Sequence, residues 1–213
     1  MPPRHADPEQ NPLYSRAEDL HPLHWGNLER RPPADAAQAA GAVWDGEVFT
    51  LPFLGTDVRV APRARTISWA ADPGRPMGYQ RALVAVAYLA GAVEAPPRGE
   101  WVAFRELPGG EAFFRGPHGL PTPQLETAFG RRPGDLLAAA RSLGGFATPG
   151  ADAGAELPAL PRIPLRVLLW AAAEEFPASA CLLVDARVHL HLALDVLWAL
   201  ANVAIADLVR AAP

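Results

Sequence analysis

Residues 161–185, PRIPLRVLLWAAAEEFPASACLLVD, constrain the fold more than any other stretch, because two apolar strand-forming runs bracket a short acidic turn, Glu174-Glu175-Phe176-Pro177. Such a pattern reads as a β-hairpin, with strands near Ile163–Trp170 and 180–185 and an acidic tip. The apolar faces of that hairpin must be covered, so the rest of the chain has to supply helices or further strands.

The periodicity elsewhere supplies both. Residues 13–31 read as a helix interrupted near Pro22, and 34–42 as a second one entered through Pro32-Pro33. From Val43 the chain turns β-rich, with Val48-Phe49-Thr50-Leu51, Val58-Arg59-Val60 and Thr66-Ile67-Ser68-Trp69 forming an expected antiparallel meander. Residues 77–93 are apolar nearly all round, as a buried core helix would be. A second hairpin is expected about Pro108-Gly109-Gly110, between 101–104 and 111–114. Two short helices follow at 123–129 and 133–143, then a Gly-, Ala- and Asp-rich stretch, 144–158, that reads as a mobile crossing. An apolar helix over about 192–210 closes the chain, with Asp195 and Asn202 on one side. The fold class is therefore α+β, as one domain over 12–213 behind a Pro-rich arm, 1–11, expected to be disordered. Its core is expected to unite Val167, Leu169, Trp170 and Leu183 with Tyr88 and Leu89.

Composition narrows the chemistry. All nineteen basic residues are Arg. Without a lysine the chain cannot form a Walker-type phosphate loop or a Schiff base. Cys181 is the single cysteine, which excludes an internal disulfide, a Cys-only zinc site and a four-Cys cluster. It sits in an apolar run and reads as core. A net charge of −4 with scattered arginines offers no basic stripe for nucleic acid. The start lacks a signal-peptide core, 82–93 is too short to span a bilayer, and 190–209 carries Asp195 and Asp207, so a cytoplasmic chain is expected, with no membrane partner.

The candidate site is the cluster Glu174, Glu175 and Asp185, with Arg162 or Arg105 as its cation and Trp170 as a wall. Paired carboxylates near a base can transfer protons or hold a hard cation. Glu175 is expected to hold Arg162, with Arg105 second, while Phe176, restricted by Pro177, turns inward. His189 and His191 would share one side of an extended strand but lack a third ligand, so no metal and no cofactor are expected. His21 and His24, at helical spacing, have no better claim. Gly109 and Gly110 are explained by a turn, and Ser179 has no evident base.

Several pieces, in order, resemble a bacterial and archaeal family catalogued as a domain of unknown function: Trp101-Val102-Ala103-Phe104-Arg105-Glu106-Leu107-Pro108-Gly109-Gly110, Phe129-Gly130, Leu143-Gly144-Gly145, Pro161-Arg162-Ile163-Pro164-Leu165, Leu169-Trp170, Glu175-Phe176-Pro177-Ala178-Ser179-Ala180 and Asp185. The likeness covers about 31–210. Some longer members look fused to a cysteine-rich iron–sulfur domain similar to that of corrinoid iron–sulfur proteins, and these 213 residues contain none. At the tip, Ala172-Ala173 stand where the family tends to place Gly-Asp. The expected role is an accessory module binding a small molecule or a protein. A carboxylate- or metal-dependent enzyme centred on Glu175, Asp185 and a histidine is one alternative. A structural homodimer using the last helix is another.

Overall fold

The computed structural model describes residues 15–213, so the expected arm lies outside the described residues. The α+β class is observed, and the described chain groups into two compact units. The first takes the described residues up to Leu51, with Asp57–Glu94 and Leu190–Leu200; the second takes Pro52–Thr56, Ala95–His189 and Ala201–Pro213.

In the first unit, helices α1 (Pro22–Glu29) and α2 (Pro33–Ala40) each begin on a proline, whose fixed φ and missing N–H suit a helix start. Gly41 closes α2 in the left-handed region at φ 66°. The meander is present as strands β1 (Val43–Trp44), β2 (Phe49–Phe53), β3 (Thr56–Ala61) and β4 (Thr66–Trp69), in that spatial order. Helix α3 (Tyr79–Gly91) is the expected buried helix, and its Tyr88 hydroxyl donates to the Ala40 carbonyl at 3.1 Å. Arg31 donates to the carbonyls of Leu89 and Ala90 at 3.1 and 3.2 Å, satisfying acceptors that the end of α3 leaves open.

The second unit is built on a five-stranded antiparallel sheet in the order β5-β9-β8-β7-β6. Its strands are β5 (Trp101–Ala103), β6 (Phe146–Ala147), β7 (Ala153–Leu160), β8 (Ile163–Trp170) and β9 (Ser179–Asp185). The β8–β9 hairpin is as expected, closing with Trp170 opposite Ser179. Two expectations fail here. The stretch read as a mobile crossing contains β6 and most of β7, and β7 pairs with β8 from Ala153 to Leu160 with a bulge between Pro158 and Leu160. Ala, Gly and Pro are poor strand formers, but here burial decides: Ala155, Leu157 and Ala159 are fully covered. Gly154 is required because a Cβ there would lie 2.3 Å from the Thr148 carbonyl oxygen.

The second failure is the hairpin expected about Gly109-Gly110. Gly109 does take a positive φ, 77°, but it leads into the short helix α4 (Gly110–Phe113). A Cβ on Gly110 would fall 2.2 Å from the Phe104 carbonyl oxygen. Phe104 and Phe114 then meet edge to face at 5.3 Å. Helices α5 (Thr122–Phe129) and α6 (Pro133–Ser142) run beside β9 and β7 and bury Leu125, Phe129, Leu136 and Ala139.

The period-two rule sorts the sheet into two faces. Leu165, Val167, Leu169, Leu182 and Val184 point to the buried one. Register places Glu156 opposite Arg166, Arg166 opposite Leu183, Leu183 opposite Ala103, and Asp185 opposite Trp101, so these share the other face, which is mostly half-exposed. The core expected from the sequence is corrected accordingly. Leu169 and Val167 are buried, Leu183 is only half-buried, and Trp170 is 42% exposed. Tyr88 and Leu89 are buried in the first unit.

The last helix, α7 (Leu194–Arg210), starts two residues later than expected. Its Leu197, Leu200, Ala204, Ile205 and Leu208 are buried within the chain itself. No described helix is long and apolar enough to cross a membrane.

Candidate functional site

The half-exposed face of the five-stranded sheet carries a pocket of about 440 Å³, lying wholly within the second unit. Its apolar wall is made of five prolines, Pro52, Pro97, Pro158, Pro161 and Pro164, with Leu160 and Trp101. Its polar groups are Glu156, Arg166 and Asp185. Proline rings have a fixed φ and no N–H, so this wall is stiff and offers acceptors without donors.

Arg166 is the centre of the polar set. Its Nη2 donates to Glu156 Oε2 at 3.0 Å across the β7–β8 ladder, and both side chains are mostly covered, at 24% and 20% exposure. Its guanidinium carbon stands 4.0 Å from the centroid of the Trp101 ring, a cation–π arrangement that links β8 to β5. Arg166 Nε is buried without a hydrogen-bond partner. Planarity explains why only arginine suits the position, since it can stack on the indole while donating sideways to the carboxylate.

Asp185, a candidate from the sequence, lines the same pocket but is 1% exposed. Its Oδ2 accepts from Gly99 N–H at 2.7 Å and its Oδ1 from Arg187 N–H at 3.0 Å. Those bonds hold the Pro97–Gly99 wall against the strand end. Asp185 thus shapes the pocket rather than presenting a free carboxylate.

The other expected members do not converge on it. Glu174 and Glu175 are exposed at the hairpin tip, six residues or more along the strand from Asp185, a span of about 20 Å at 3.3 Å per residue. Neither makes an ion pair among the described residues. Phe176 is 69% exposed, so the expectation that it turns inward is corrected. The cause is local: Ala172 N–H donates to the Gly130 carbonyl and Ala173 N–H to the Phe176 carbonyl, both at 2.9 Å, and this closure leaves the phenyl ring outside. Arg105 is exposed on a 3-10 turn, Arg162 is half-buried beside the β7–β8 turn, and Trp170 is at the tip end of β8.

The histidines do not lie on a strand. His189 is on a 3-10 turn, with Nδ1 2.9 Å from the Ala186 carbonyl, and His191 is buried with Nδ1 accepting from Val93 N–H at 3.4 Å. His21 caps α1 by accepting from Leu23 N–H at 3.2 Å, and burial and neighbouring His21 hold His24 below its ordinary pKa. Among the described residues no three His, Cys, Asp or Glu side chains gather as a metal site would need. Cys181 is half-buried, and burial, then the Glu106 carboxylate, push its thiol above the ordinary value.

Sequence reasoning missed Glu156, Arg166, Trp101 and the prolines as a set. A usable signal exists: Glu156-x-Pro158 and Pro164-x-Arg166 are mirror images about Pro161, as a tight hairpin would place them. Fold and site together define an α+β protein with a proline-walled, charge-paired pocket on the open face of an antiparallel sheet. The chain belongs to the family described as domain of unknown function DUF3786, whose profile matches residues 32–207. Neither the curated proteins nor the solved structures offer a match.

Proposed function

We propose that this chain is a binding module whose pocket on the open sheet face holds a small molecule with a polar head and an apolar body. The observation that carries it is the Glu156–Arg166 pair set inside a proline and tryptophan wall. Binding sites combine an apolar cleft with a few fixed polar groups, and here acceptor and donor stand side by side, oriented by a ladder and an indole ring. The head group that suits this is one that donates to Glu156 and accepts from Arg166, as amides and similar planar groups do. A cytoplasmic setting agrees with a single thiol.

The test is a fragment screen on the full chain, followed by the indole signals of its tryptophans in NMR. Amide-bearing fragments are expected to shift the Trp101 indole, and Arg166→Ala to weaken them about tenfold or more, since it removes the donor and leaves Glu156 unpaired. Fragments that bind while leaving the Trp101 signal unmoved would sink the reading.

A further inference from the structure

The acidic tip is not part of that pocket, and its construction points to a separate use. Its backbone is fixed at several points: Ala171 N–H donates to Asp152 Oδ2 at 2.8 Å, Ala172 N–H to the Gly130 carbonyl, and Ala173 N–H to the Phe176 carbonyl, the last two at 2.9 Å. The approach to the end of α5 is so close that a Cβ on Gly130 would lie 2.4 Å from Ala178 Cβ. On this fixed frame Phe176 is 69% exposed, and Trp170 at the end of β8 is 42% exposed.

A large aromatic held in water by a rigid turn forgoes burial that a looser loop could have found for it. The same rigidity means that little ordering is lost when the ring enters a partner, which is how anchor residues of interfaces work. Charge narrows the partner. Glu29, Glu100 and Glu111 each pair with an Arg of this chain, whereas Glu174 and Glu175, the two residues immediately before Phe176, pair with none among the described residues. Two uncompensated carboxylates repel phosphate backbones and anionic lipid and complement a cationic rim.

We propose that residues 170–177 are a docking element for a protein segment that offers an apolar recess for Phe176 rimmed by Arg or Lys. The test uses the full chain, immobilised and panned against a random peptide-display library. Recovered peptides are expected to interleave Arg or Lys with apolar residues and to bind less tightly as salt is raised. Phe176→Ala should weaken them about tenfold, and Glu174→Gln and Glu175→Gln about threefold each, with thermal melts unchanged. Recovery of no binders, binders without basic residues, or binders indifferent to Phe176→Ala would overturn the proposal. Self-association abolished by Phe176→Ala would overturn it too, assigning the tip to a second copy of the chain.

Discussion

At one end of the β8–β9 hairpin Asp185 is 1% exposed and accepts from two backbone N–H groups, whereas at the other end Glu174 and Glu175 stand in water beside an exposed Phe176. The side chains are chemically alike; what differs is the company the backbone provides. At the Asp185 end the 97–99 segment folds over the strand and turns the Gly99 N–H toward the carboxylate, and the Arg187 N–H just past the strand supplies the second donor. At the tip the backbone donors are already spent on Asp152, Gly130 and Phe176. A carboxylate therefore becomes a structural clasp where unpaired donors surround it, and a surface label where none remain.

The sharpest way to break this comparison is at the border between buried and open faces, where Leu169 and Trp170 are adjacent in sequence and opposite in exposure. Leu169→Ala should cost about 2–5 kcal/mol in denaturant unfolding, and Trp170→Ala clearly less. Equal losses would show that the two faces have been assigned wrongly. Next in size, Asp185→Asn should cost about 1–3 kcal/mol, because an amide oxygen can replace only one of the two acceptors. Hydrogen exchange at Gly99 should speed up at the same time; if it does not, the clasp is not what holds that segment.

Cys181, midway along the hairpin, gives a pH-dependent comparison. Its folded pKa is raised, so the stability linked to its protonated form is fully present below the unfolded thiol's value of about 8.5 and is lost as pH rises past it. Alkylation at about pH 8.5 should accordingly be several-fold slower in the folded protein than in the denatured chain. Equal rates would mean that the thiol is not shielded. The smallest effect is expected at the tip, where Glu174→Gln and Glu175→Gln should each change stability by less than about 0.5 kcal/mol. A larger loss in either variant would reveal an internal partner and remove the contrast.

What could be read from the sequence divides along the same lines. The strands β8 and β9 and the helices α3 and α7 announce themselves by periodicity, because each is long and one face or nearly all faces are apolar. Strand β7 does not, since Ala153-Gly154-Ala155 and Pro158 have the composition of a loop and become a strand only because β8 and the 146–148 segment lie on either side. That one misreading hid Glu156, and with it the partner of Arg166. Trp101 sits in a strand-forming run, yet its position near Arg166 depends on β5 pairing with β9 more than eighty residues later in the chain. No local pattern encodes that pairing. The acids of the tip are adjacent in sequence, but adjacency alone says nothing about whether a backbone donor or a cation will meet them.

The proline wall has a consequence for how this protein will reveal a ligand. Five of the eleven residues around the pocket carry no amide proton, and Pro158 and Pro164 face each other across the ladder, so that part of the hairpin contributes no peaks to an amide-detected spectrum and no deuterium uptake. A molecule seated against the prolines would meet nearly half of the lining without a backbone amide reporter. Occupancy will instead be written in the ring carbons of the prolines, the guanidinium protons of Arg166 and the indole of Trp101, and labelling schemes that follow those atoms are the ones that will see it.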